Sequence, residues 1–160
     1  MRIGKSRWVL LVVGVVSLGL FAAQATGASA AKHKRKRLLC TVKGDSADNV
    51  LVGTESRDFI CGKAGNDAAH GLAGNDRILG ARGNEIIEGD RGSDRLRGGA
   101  GTDRIDGGLG NDVLRGGGGS DLLDSSDGGN DLVIGGRGRD QCIVNASDRV
   151  RGCEQKTVVG

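Results

Sequence analysis

The stretch Gly98-Gly99-Ala100-Gly101-Thr102-Asp103-Arg104-Ile105-Asp106 runs directly into Gly107-Gly108-Leu109-Gly110-Asn111-Asp112-Val113-Leu114-Arg115, a near-copy of itself. Outward from it, acids recur at Asp58, Asp67, Asp76, Glu85, Asp94, Asp103, Asp112 and Asp121, each nine residues after the last. Asp131 follows after ten and Asp140 after nine more, while Asp48 stands ten before Asp58, which makes eleven units. Two residues before the acid stands a glycine in nine consecutive units: Gly65, Gly74, Gly83, Gly92, Gly101, Gly110, Gly119, Gly129 and Gly138. Five before it lies another: Gly62, Gly71, Gly80, Gly89, Gly98, Gly107 and Gly116, then Gly135. Two after the acid comes an aliphatic side chain, read as Val50, Ile60, Ile78, Ile87, Leu96, Ile105, Leu114, Leu123 and Val133, with Ala69 and Cys142 as the exceptions.

Each column has a physical reason. Glycine adopts left-handed backbone angles without steric cost, so the segment from the first glycine to the acid reads as a tight six-residue turn. The three residues that follow, such as Arg77-Ile78-Leu79, form a short strand whose middle side chain faces opposite to its neighbours. One inward aliphatic per nine residues describes a thin solenoid. A glycine-rich turn in every unit leaves no room for helices, where each glycine costs about 1 kcal/mol.

These residues resemble the RTX, or haemolysin-type, calcium-binding nonapeptide family, whose motif is G-G-x-G-x-D-x-U-x. The likeness covers residues 43–143. It implies an all-β fold, a right-handed parallel β-roll (β-solenoid) with two nine-residue units per coil. It also implies several Ca²⁺ ions held between turns stacked one coil apart. The ligands it implies are the carboxylates of Asp67, Asp76, Glu85, Asp94, Asp103, Asp112, Asp121, Asp131 and Asp140. Backbone carbonyls of the two glycine columns, Gly62 to Gly116 and Gly65 to Gly119, would complete them.

The residue chemistry agrees with that ion. Ca²⁺ takes six to eight oxygen ligands in loose geometry, and turns without bulky side chains expose their carbonyls. No cluster of histidine or thiolate offers itself to a softer metal. With two units per coil, the acids sort into two ladders. Asp67, Glu85, Asp103, Asp121 and Asp140 line one edge; Asp58, Asp76, Asp94, Asp112 and Asp131 line the other. Stacked carboxylates repel one another without a cation. One inward side chain per nine residues buries little apolar surface against the entropy of ordering a glycine-rich chain, so folding is expected to depend on the ion. Departures fall at Glu85, one methylene longer than Asp, and at Lys63, Leu72 and Ala81, which replace the second glycine. An extra residue within Asp124-Ser125-Ser126-Asp127-Gly128-Gly129 is expected to bulge one turn, and the units at Asp48 and Asp58 read as an end cap.

The flanks carry other information. Arg2, Lys5 and Arg7 precede an apolar run from Trp8 to Phe21, then small residues ending Ala28-Ser29-Ala30. That order predicts a secretory signal peptide over residues 1–30 cleaved after Ala30, with Ala23-Gln24-Ala25 the weaker site. The apolar run falls short of the ~20 residues a membrane span needs. Residues 31–42 hold the basic run Lys32-His33-Lys34-Arg35-Lys36-Arg37 and read as a disordered tail; residues 144–160 read as a C-terminal cap. In an oxidising compartment the four cysteines favour two disulfides, and no C-x₂₋₄-C pair supports zinc. On the implied roll the two ends lie five coils apart, or ~24 Å at one strand spacing per coil. A disulfide needs Cα atoms within ~7 Å, which leaves the pairs Cys40–Cys61 and Cys142–Cys153 as clamps at the two ends.

Composition narrows the function. Glycine makes up 31 of 160 residues, proline is absent, and Trp8, Phe21 and Phe59 are the only aromatics. A core of large rings, collagen, and nucleic-acid binding by base stacking are thereby excluded. Eight of the 23 basic groups precede residue 38, which leaves 15 of them against all 20 acids in the body. Two units per coil would place Arg77, Arg95, Arg97 and Arg115 on one sheet and Glu88, Asp106 and Asp124 on the other. No H-E-x-x-H or G-x-S-x-G is present, and His70 reads as a lone surface histidine. The expected protein is a secreted, non-catalytic calcium-binding module with a structural or surface-interaction role. Its expected partners are calcium ions and an anionic cell-surface polymer or lipid, with no specific nucleic acid; the oligomeric state is left open. The alternative is an extracellular polysaccharide-active enzyme with a site on the roll face.

Overall fold

The structure, a computed structural model, describes residues 39–160. The expected signal peptide and the basic run Lys32–Arg37 lie outside them. Fourteen strands follow one another, and no helix occurs among the described residues. They are β1 (Val42–Lys43), β2 (Val50–Val52), β3 (Phe59–Ala64), β4 (Ala68–His70), β5 (Arg77–Arg82), β6 (Ile86–Glu88) and β7 (Arg95–Ala100), continued by β8 (Arg104–Asp106), β9 (Val113–Gly118), β10 (Leu122–Ser125), β11 (Leu132–Arg137), β12 (Gln141–Asn145), β13 (Arg149–Arg151) and β14 (Gln155–Val159).

Odd strands form one parallel seven-stranded sheet and even strands a second, each in sequence order. Two units therefore make one coil. The register is 18 residues: Ile60 pairs with Ile78, Ile78 with Leu96 and Leu96 with Leu114 on the first sheet. On the second, Leu51 pairs with Ala69, Ala69 with Ile87 and Ile87 with Ile105. The core between the sheets is a single file of these side chains, from Leu51 to Cys142, with Val144 beside its end. Ala69 and Cys142, the two exceptions to the aliphatic column, are buried in it like the rest.

The first unit corrects the sequence reading. Val50 is 75% exposed and Leu51 only 6%, so the inward residue is Leu51. The acid position of that unit is accordingly Asn49, whose N–H donates to Asp67 as later acids donate to theirs, and Asp48 lies in the neighbouring column. The nine-residue spacing from Asn49 to Asp58 is unbroken. Choosing the acid over the period had produced the apparent spacing of ten.

Strand lengths depart from expectation too. The second sheet has the expected three-residue strands from β2 to β8, but β3, β5, β7, β9 and β11 on the first run to six. There the residues after the first glycine stay in the ladder, with Lys63 paired to Ala81, Ala81 to Gly99 and Gly99 to Gly117. On the other edge the same positions make only the isolated bridges Ala73–Arg91 and Arg91–Leu109. The sequence columns are alike on both edges and do not distinguish them.

The extra residue before Asp131 is accommodated as a turn after β10. Ser125 takes the ladder position of the first glycine and is fully buried, its hydroxyl donating to Asp148 Oδ2 at 2.9 Å. Cys40–Cys61 ties the chain ahead of β1 to β3, and Cys142–Cys153 ties β12 to the segment between β13 and β14. Strands β13 and β14 extend both sheets by one strand each.

Candidate metal centres

The acids form the two ladders expected of two units per coil, and hydrogen bonds join the rungs. Along one edge the N–H of Asp58 donates to Asp76 Oδ1, Asp76 to Asp94, Asp94 to Asp112, and Asp112 to Asp131, at 2.6–2.8 Å. Along the other, Glu85 donates to Asp103, Asp103 to Asp121, and Asp121 to Asp140, at 2.9–3.0 Å. The backbone carbonyl of each acid accepts from the residue just past the next acid in its ladder, as Asp76 does from Arg95. A neutral ladder runs alongside, in which Asn66 Oδ1 accepts from the N–H of Asn84, and Asn84 Oδ1 from that of Thr102.

This pairing uses one oxygen of each carboxylate and strands the other. Oδ2 of Asp67, Asp76, Asp94, Asp103, Asp112, Asp121, Asp131 and Asp140, and both oxygens of Glu85, are buried without a partner. These nine residues are 1–3% exposed and are the nine carboxylates named from the sequence. A buried ionised carboxylate lacking compensation is costly enough to stay neutral or find a cation.

The glycine columns shape the space around those oxygens. A Cβ on Gly71 would lie 2.7 Å from Asp76 Oδ2 and 2.6 Å from the Gly89 carbonyl oxygen. Gly62, Gly80, Gly89, Gly98, Gly107 and Gly116 are likewise covered by the acid five residues on. Thus the acid side chain folds back over the glycine that opens its own turn, and at Gly62, Gly71, Gly80, Gly89 and Gly116 the carbonyl of the next coil's first glycine converges on the same place. In the other column, from Gly65 to Gly119, φ lies between 104° and 150°. There the coils stack so closely that a Cβ on Gly92 would overlap the Gly74 carbonyl oxygen, and one on Gly110 that of Gly92. Both columns of predicted carbonyls therefore lie beside the acids, with Gly62, Gly80, Gly98 and Gly116 within β3, β5, β7 and β9 and the others at turns. Buried, oxygen-only and anionic, this donor set fits a hard divalent cation.

Electrostatics carries the same signature. Burial first, then neighbouring carboxylates, pushes Asp112 up to about 7, and Asp94, Asp121 and Asp131 to about 6. Asp76 is raised for the same reasons. Glu85 rises to about 8, through burial first and then the neighbouring carboxylates of Asp103, Asp67 and Asp121. Its longer side chain also breaks a rung: Asp67 makes no such bond to it among the described residues. Asp58 behaves oppositely. Burial raises it, but hydrogen bonds from Thr41 and Thr54 outweigh that and lower it overall, and both its oxygens are satisfied. It is a capped carboxylate, as expected of an end unit.

Sequence reading missed the ladder ends. Besides Asn49, Asp148 Oδ1 accepts from the N–H of Asp131 and Glu154 Oε2 from that of Asp140. These lie 17 and 14 residues away, off the period, so no spacing rule could find them. Elsewhere, His70 is not alone. Its Nδ1 sits 3.0 Å from Glu88 Oε2 on the outer face of the second sheet, with an Asp90 oxygen within 4.8 Å.

Set beside known families, the chain matches the model of the RTX calcium-binding nonapeptide repeat in four copies, over residues 43–78, 62–96, 88–123 and 114–142. No curated protein matches it.

Proposed function

The chain belongs to the RTX calcium-binding nonapeptide repeat family, whose repeats bind multiple Ca²⁺ ions, and we propose that it is a secreted module whose roll is held together by calcium along both edges. The supporting observation is the set of nine buried carboxylates, each with an oxygen that no protein group satisfies. Asp67, Glu85, Asp103, Asp121 and Asp140 would hold ions on one edge; Asp76, Asp94, Asp112 and Asp131 would do so on the other. Carbonyls of the glycine-rich turns supply the remaining oxygens. Bound calcium contributes positive charge where like charges stack a coil apart.

The chain's own groups do the rest. Each Oδ1 accepts a backbone N–H and so fixes its carboxylate with the second oxygen facing the turn. The opening glycines leave room for that oxygen. The single-file core is thin, so folding is coupled to ion binding. The signal-like residues 1–30 and the two disulfides support an extracellular site of action. The role is structural or surface-binding and not catalytic: the carboxylates are evenly spaced ligands, not an isolated pair in a cleft.

Equilibrium dialysis of the secreted form against calcium tests this. Saturable uptake of several ions per chain is expected, weakened by Asp94→Asn with Asp112→Asn and not reproduced by magnesium. Retention of no calcium would overturn the reading.

A further inference from the structure

The two sheets differ sharply in charge. The seven strands of the first contain ten Lys and Arg residues and no Asp or Glu. Those of the second carry Glu88, Asp106 and Asp124 against Arg104 and Lys156. On the first sheet Arg77 is registered directly against Arg95, and Arg97 against Arg115. Like charges placed opposite one another across parallel strands are destabilising. Among the described residues no carboxylate pairs with them: the one ion pair is His70–Glu88, on the other sheet.

We infer that the outer face of the first sheet is a binding surface for an anionic polysaccharide, centred on Arg77, Arg95, Arg97 and Arg115. These four arginines, with Leu79, Val113 and Leu132, line one open groove of about 440 Å³. Three features select the ligand. First, the arginines are held on rigid strands, and a planar guanidinium fork matches carboxylate and sulfate oxygens two at a time. Second, they recur at one strand spacing per coil, ~4.8 Å, comparable to the advance of one sugar along a chain. Leu79, Val113 and Leu132 are half-buried between them and give the C–H face of a sugar ring a shallow apolar floor. Third, no large exposed apolar side chain projects from this face. Val50, Val52, Ile86 and Val158 lie on the second sheet, Leu72 and Leu109 on turns, and Leu39 ahead of β1. The surface therefore has nothing to insert into a bilayer. Base stacking is unsupported as well, since its one aromatic, Phe59, is capped by the Arg77 guanidinium at 5.2 Å from the ring centre.

This inference rests on the calcium-held roll proposed above, which keeps the arginines in register. The test uses the calcium-saturated secreted chain, with dextran sulfate and hyaluronate as probes and neutral dextran as the uncharged control. Replacing Arg77, Arg95, Arg97 and Arg115 with Gln is expected to weaken binding at least 30-fold and flatten its salt dependence. Replacing Glu88, Asp106 and Asp124 with Gln or Asn, or neutralising Lys32–Arg37, should change it less than threefold. If the fourfold variant does not fold, Arg97→Gln with Arg115→Gln is expected to cost at least fivefold. Far-UV circular dichroism in calcium separates the two claims, because a variant that still folds on calcium but no longer binds leaves the calcium reading intact. Binding within threefold of the parent after loss of the four arginines would overturn the inference. So would equal binding to neutral dextran, or capture by phosphatidylglycerol vesicles without capture by dextran sulfate.

Discussion

The early and late turns of the roll obey different rules at two adjacent positions. From Gly62 to Gly89 the residue after the opening glycine is Lys63, Leu72, Ala81 or Asp90, all at positive φ, from 68° to 105°. From Gly98 onward it is Gly99, Gly108, Gly117 and Gly136, again at positive φ. A side chain in that conformation costs about 1–2 kcal/mol, and the early turns bear it four times. Yet the opening glycine itself is never replaced in any turn from Gly62 to Gly116. The second position answers to positive φ, which Lys63, Leu72, Ala81 and Asp90 adopt at a cost, and in the late turns also to backbone contact, since a Cβ on Gly99, Gly108 or Gly117 would meet the carbonyl oxygen one coil back. The first answers to contact, because the carboxylate oxygen of its own turn stands where a Cβ would be.

Gly98→Ala should break that distinction most visibly. The added methyl falls on Asp103, and its Oδ2, Cγ and Cβ must all move. A loss of about 3 kcal/mol is expected from overpacking, with one ion fewer per chain, read by urea unfolding in calcium and by dialysis. Leu72→Ala, in the tolerant column, should stay near the parent.

Acidity separates the halves next, through Glu85 at about 8 against Asp112 at about 7 and its other neighbours at about 6. All are raised, so without metal the folded roll binds more protons than the unfolded chain. Its stability is therefore greatest below the ordinary carboxylate range and declines as pH rises from ~4 toward 8. Calcium displaces those protons. Its apparent affinity should weaken as pH falls from 8 to 6, by up to about tenfold per unit for each proton released. Titrations at pH 6, 7 and 8 check the opposed slopes, with the highest-pH component lost in Glu85→Asp.

That same substitution should repair the early half. A shorter side chain can take the N–H of Asp67 and restore the missing rung, a gain of about 1 kcal/mol by thermal unfolding in calcium. Ala81→Gly is the mildest change. Relief of the strained φ of 105° offsets the extra chain entropy of glycine, and the net gain should not exceed about 1 kcal/mol.

Much of this was legible beforehand because a strict period converts directly into geometry. The core from Ile60 to Cys142 followed from columns nine residues apart, and the two sheets, both acid ladders and the end disulfides from those columns together with the two units per coil that the family likeness implies. The reading failed where period and residue type disagreed. At the first unit Asp48 and Val50 matched by type, but Asn49 and Leu51 matched by position, and position decided. Asp90 escaped notice as a fourth left-handed residue because an acid there does not resemble a missing glycine. Asp148 and Glu154 were invisible for the opposite reason: the last coil abandons the repeat and reaches the ladder ends from irregular spacings. The unequal strand lengths of the two edges correspond to no column at all.

The central claim is that the carboxylate ladders require calcium to stack, and far-UV circular dichroism of the secreted form through calcium titration and chelation tests it most directly. The account predicts little strand signal in the stripped chain, a cooperative rise of β structure with calcium but not magnesium, and its loss on chelation. A metal-free chain with the full β spectrum and an unchanged melting point would contradict it.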